Sequence, residues 1–170
     1  MKKFISAAIL MFASFIGING QTVGYVNTDK ILDRIPEYVS AKSILENQKA
    51  QLDAKLEAEY KKIELMYKSY QSQRASMSEV QRVARENDII RREKEVKELQ
   101  ASYFGQDGQM AKRSKELIDP IKNRVQKAIN DVADESRIAI VFDLAVVQGV
   151  IYNNPNADLT SKVIRKLGIK

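Results

Sequence analysis

Ser40–Arg74, SAKSILENQKAQLDAKLEAEYKKIELMYKSYQSQR, contains neither glycine nor proline, and its apolar residues recur as Leu45, Leu52, Leu56, Tyr60, Ile63, Tyr67 and Tyr70, in steps of three, four or seven. Lys, Glu, Gln and Asp fill most other positions, so a helix here hides one narrow stripe and has to lay it against a second helix. Upstream, Pro36 suits a first helical turn, where a missing N–H removes no bond, and Glu37 sets negative charge at the positive end of the helix dipole. A helix of about forty residues is about 60 Å long, which predicts an arm rather than a compact layer.

Working outward towards the C-terminus, Arg74–Glu79 interrupts the spacing, and Ser78 with Gln81 forms the S-x-x-Q pattern that caps a new helix. The restarted helix carries Val83, Ile90, Val96, Leu99, Tyr103, Met110, Leu117, Ile121, Val125, Ile129 and Val132 on one face, with some drift in register. This predicts an antiparallel helical hairpin over residues 36–135. Gly105 and Gly108 each weaken the returning helix by about 1 kcal/mol relative to alanine, and Pro120 removes one of its hydrogen bonds. They are either bending points or breakers tolerated in an exposed helix.

The flanks differ in character. Thr22–Asn27 is a short β-prone run, with Thr28 placed to cap a helical turn through Arg34. Beyond Ser136, Ile138–Asp143 and Val150–Tyr152 read as two more strands, and Asn153–Asn156 as a turn. A last amphipathic helix is expected to be capped by Asp158, to carry Leu159, Val163, Ile164 and Leu167, and to end at Gly168. Residues 21–35 and 136–170 would thus form a β-rich head. Ile138–Phe142 is apolar at every position, the pattern of a strand buried on both faces, and one chain has too few apolar elements left to cover it. The expectation is an oligomerisation core, barrel-like and shared between copies, built on Val23, Tyr25, Ile138, Ile140, Val141, Phe142, Val150 and Ile151. The fold class is therefore mainly α, with a small β head.

Lys2 and Lys3 precede an apolar run from Phe4 to Ile18, followed by the small Gly20. This reads as a secretory signal over residues 1–20, because the run is shorter than the roughly 20 residues a spanning helix needs. The chain has 28 Lys and Arg against 22 Asp and Glu, so it stays positive when Lys2 and Lys3 are removed, which favours anionic partners. Without any histidine or cysteine, Ser-His-Asp and Cys-His catalysis, disulfides and imidazole or thiolate metal sites are excluded. No phosphate-binding glycine loop is present, no cofactor is expected and an enzyme is not indicated.

At the far end of the arm Lys68, Arg74, Arg82, Arg85, Arg91 and Arg92 outnumber Glu79, Glu86 and Asp88, making a basic tip. It is either a solvated face or a surface for weak contact with anionic lipid; no base-reading motif accompanies it, so nucleic acid is not expected. Tyr60, Tyr67, Tyr70, Tyr103 and Phe104 serve either as seam packing or as rings offered to an unfolded partner, and Met66 and Met77 are adaptable contacts or gap fillers.

Gly24–Leu32 (GYVNTDKIL) with Ile35–Tyr38 (IPEY) resembles the opening of the Skp/OmpH family of periplasmic chaperones. Pro120–Ile121, Ala128–Ile129, Val132–Glu135, Val141–Asp143, Asp158–Thr160 and Val163–Ile169 are similar to the rest of that family's head, in order and spacing. The arms match by pattern alone, and Gly105 and Gly108 lie outside the matched motifs. The resemblance implies a periplasmic homotrimer with a β-barrel-like head, whose three arms enclose a cavity. In it unfolded outer-membrane proteins are held without ATP. A non-catalytic envelope spacer that binds one fixed partner through the arm tip is the alternative.

Overall fold

A computed structural model describes residues 22–169; the expected signal over residues 1–20 lies outside them. Strand β1 (Val23–Val26) pairs in parallel with β2 (Ile140–Asp143), Val23 opposite Ile140 and Val26 opposite Asp143. Parallel strands need a crossover, and here the crossover is the whole helical limb. It runs through α1 (Thr28–Leu32), α2 (Pro36–Gln73), a 3-10 turn at Arg74–Ser76, α3 (Glu79–Phe104) and α4 (Gln109–Glu135). A second 3-10 turn, Pro155–Ala157, precedes α5 (Thr160–Lys166).

Helix α2 spans 38 residues, about 57 Å at about 1.5 Å per residue, and Pro36 occupies its first turn as expected. At the tip, the Gln81 amide donates to the Ser78 hydroxyl at 3.3 Å while the Ser78 amide donates to Gln81 Oε1 at 2.9 Å, the reciprocal cap read from the sequence. Cross-limb ties climb one helix and descend the other: Glu37 with Arg124, Glu59 with Arg92, and Tyr70 with Glu86.

The returning limb is two helices, not one. The Gly105 amide still donates to Ala101 O at 2.8 Å, but the chain then turns, and the Gly108 amide donates to Gly105 O at 2.9 Å. A Cβ on Gly105 would stand 2.5 Å from the Ala101 carbonyl oxygen, which only glycine avoids. Pro120, by contrast, sits inside an unbroken α4. Its position is exposed, so water can satisfy the carbonyl left without an amide partner.

The seam also departs from its expected members. Leu52, Leu56, Ile63 and Tyr70 are buried, but Tyr60 and Tyr67 are about half exposed and only flank it. On α3, Ile89 and Val96 face α2, while Val83 and Ile90 point to solvent. On α4, Ile118 is buried and Leu117 only half so. Two cores result. Thirteen buried residues from β1, α1, the start of α2, α4 and α5 join head and limb base; Leu56, Ile63, Tyr70, Ile89 and Val96 form a smaller one further out.

In the head, Asn27 rather than Thr28 caps α1, its side chain accepting from the Lys30 amide at 2.9 Å. Leu159 rather than Asp158 is the cap residue of α5, although Asp158 Oδ1 accepts from the Thr160 amide at 2.8 Å, and Gly168 has φ +73° just beyond the helix end. The expected strand at Val150–Tyr152 does not form. The second edge of β1 is taken by the Leu159 amide, which donates to Tyr25 O at 2.8 Å, so the segment finds no strand of its own chain there. Ile138 also precedes β2 rather than opening it, its amide closing α4 on Ala133 O at 2.9 Å.

Candidate functional site

Two surfaces hold the residues singled out by sequence. The first is the sheet face. Val23, Ile140 and Phe142 are 48%, 45% and 46% exposed, although strands this apolar are normally covered on both faces. Val23 and Phe142, with Tyr25, Leu144, Val147, Val150 and Tyr152, line a groove of about 280 Å3. Ile151 is fully exposed beside it. Val141 and Ile138 instead lean on the core from its other side.

Asp143 fixes the end of this face. It accepts from the Thr28 amide at 3.0 Å, the Thr28 hydroxyl at 2.5 Å and the Ala145 amide at 3.0 Å, tying β2 to the first turn of α1. Burial pushes its carboxyl pKa up, but the hydrogen bonds from Thr28 and Ala145 outweigh it and the value is lowered.

The second surface is the distal limb. Tyr60 donates to Gln100 Oε1 at 3.0 Å and Tyr67 lies open, while Tyr70 is buried and donates to Glu86. That hydrogen bond to a carboxylate raises the Tyr70 pKa. Tyr103 and Phe104 meet edge to face at 6.2 Å, with Lys49 5.9 Å above the Phe104 ring, and with Met66 and Met77 they border the distal core. Sequence reasoning thus grouped rings that the fold separates: Tyr60 and Tyr67 are open, and the others take part in packing.

The basic tip is largely neutralised within the limb. Lys68 pairs with Glu64, Arg91 with Asp88 at 2.9 Å, and Arg92 with both Glu59 and Glu95. Lys62 first, then Arg92, holds the Glu59 carboxyl below its usual range. Arg82 donates to Met77 O at 3.2 Å. Among the described residues only Arg74 and Arg85 of this group lack a carboxylate within ion-pair distance. The exposed apolar row Val80, Val83 and Ile90 on α3 was missed as a surface, because two of its members also fit the seam spacing.

Among the described residues no group of acidic side chains is arranged to hold a metal ion, and no helix is long and apolar enough to cross a membrane. No curated protein sequence matches the chain significantly. An OmpH-like protein of Caulobacter crescentus CB15, proposed to be an outer membrane chaperone, has a similar crystal structure. The TM-score is 0.61 at 12% identity, covering 89% of this chain and 86% of that one, a likeness that shows the fold. The profile of the outer membrane protein (OmpH-like) family matches residues 22–167, and the chain therefore belongs to that family.

Proposed function

We propose that the protein is an ATP-independent holdase of the periplasm, working as a homotrimer whose limbs surround unfolded outer-membrane proteins. The observation that carries this reading is the uncovered sheet face, with Val23, Ile140 and Phe142 each about half exposed in a single chain. Several copies joined through that face form a barrel-like head in which these side chains are buried and the open Val150–Tyr152 segment finds a partner. Limbs carried on one such head enclose a space. Half-open rings such as Tyr60 and Tyr67, amid paired charges, offer many weak contacts that retain a chain without folding it. A weak contact of the tip with anionic lipid falls to Arg74 and Arg85.

The test is dilution of a urea-unfolded β-barrel membrane protein into buffer with the processed chain and no nucleotide. Light scattering is expected to stay low once about one trimer is present per client; scattering unchanged at excess trimer removes the holdase reading. Crosslinking from Met77 that captures one folded partner, rather than a spread of unfolded ones, would favour the spacer instead.

A further inference from the structure

Helices α3 and α4 both pack on α2, but their covered faces keep different registers. On α3 the buried and half-buried residues repeat in sevens as Ile89, Val96 and Tyr103, with Arg92 and Leu99 between them. On α4 the same repeat is Ala111, Ile118, Val125 and Val132, with Ile121 and Ala128 between. Sevens carried on from Tyr103 and Leu99 reach none of these. They fall on Met110, Leu117 and Arg124, and on Gln106, Arg113 and Pro120, of which Arg113, Pro120 and Arg124 are exposed and Met110 and Leu117 only half-buried. The returning limb thus holds one residue more than its seam uses. One residue turns a helix face by about 100°, far more than the slight change of winding that keeps a heptad stripe on its partner.

The surplus is taken up between Phe104 and Gln109, where α3 stops and α4 restarts. Gln106 and Asp107 are exposed there, and among the described residues their amides donate to no backbone carbonyl. Helix α2 runs past unbroken, because its buried Leu52 and Leu56 stand four apart on one face. Lys49, within a turn of Leu52, lies 5.9 Å above the Phe104 ring, which sets Leu52 near the level of the turn. Leu52 is buried yet belongs to neither of the two cores. Glu37–Arg124 ties the limb on the base side of this level, and Glu59–Arg92 and Tyr60–Gln100 tie it on the far side. At the turn itself α2 is the one continuous helix.

We infer that the turn at Gly105–Gly108 is the joint of the limb: the surplus residue divides it into two bodies, and the outer one, α3 with the far part of α2, swings on the base about α2 near Leu52. The joint belongs to the single chain and does not depend on assembly. About 32 Å of α2 lies beyond Leu52, so a swing of about 10° carries the tip through about 6 Å. The outer core moves with the swing and is not opened by it.

Residual dipolar couplings of the backbone amides, measured on the whole processed chain in a dilute alignment medium, report the orientation of each body. Two alignment tensors are expected, with the couplings of α3 and of α2 beyond Leu52 scaled to about half of those of α4 and the head. A single tensor for base and outer limb overturns the joint. Deletion of Asp107 together with Gly105→Ala and Gly108→Ala sets Ala111 seven residues after Tyr103, and is expected to give one unbroken helix and one tensor. Deletion of Asp107 alone makes the same change of register and is expected to act in the same direction. Gln106→Ala with Asp107→Ala raises helix propensity at full length and keeps the surplus residue, so two tensors are expected to remain. Two tensors in either deletion variant, or one tensor in the full-length variant, overturn the surplus residue as the cause.

Discussion

The base of the limb and its distal half share a two-helix construction but are held by different forces. At the base, α4 buries Ile118, Ile121, Val125, Ala128, Ile129 and Val132 against α1, α2 and α5, in a core of thirteen residues. In the distal half five residues are buried, and Glu59–Arg92, Tyr60–Gln100 and Tyr70–Glu86 supply the remaining ties. Apolar burial stabilises by about 25 cal/mol per Å2 and is not screened by salt, whereas exposed ion pairs contribute about 1 kcal/mol at most and are screened. A firm base carries a tip that opens at small cost.

That contrast can be broken most directly by shortening one side chain in each half. Ile35→Ala, at a fully buried position, is expected to cost about 3 kcal/mol and to shift the urea midpoint of the whole molecule. Ile89→Ala should cost about 2 kcal/mol, felt locally as faster amide exchange between α2 and α3, with the head still protected. Equal shifts of the global midpoint by both changes would mean that the limb is one cooperative unit. Ser78→Ala removes one side of the tip cap and should cost about 1 kcal/mol, again confined to exchange near the turn.

The smallest effect tests the head by acid. Because the Asp143 carboxyl is lowered on folding, its contribution is complete above the ordinary carboxylate range and is lost as pH falls to the lowered folded value. Asp143→Asn is expected to lower the melting temperature at neutral pH and to flatten its decline towards about pH 3. An unchanged acid slope would remove Asp143 as the group that ties β2 to α1.

The long helices, the tip cap and the apolar base of α4 were legible because each rests on local spacing: Ser78 with Gln81 is a contact within one turn, and the α4 stripe repeats cleanly. The distal seam was less so. Ile89 and Ile90 are adjacent, either fits a sparse heptad, and only the facing helix decides that Ile89 is inside. The division of the returning limb at Gly105 and Gly108 was visible as a weakness but not as a full turn, since isolated glycines are often accommodated in helices. The head gave a third, different failure. Val150–Tyr152 has strand composition, but a strand needs a partner edge, and β1 has already given its second edge to Leu159. Which rings stay open was not legible, because Tyr60, Tyr67 and Tyr70 share one spacing and differ only in how α3 covers them.

The clasp between β1 and β2 has a kinetic consequence. Thr28 is anchored to Asp143, 115 positions later, so a chain emerging from its N-terminus offers an apolar first strand long before its mate exists. Direct closure of so large a loop is entropically slow. The capped turn at Ser78 offers a shorter route: the hairpin can nucleate there and zip back towards the base, drawing the two strands together as it grows. Chain assembly would then begin at the end of the molecule farthest from the sheet and finish with the sheet itself.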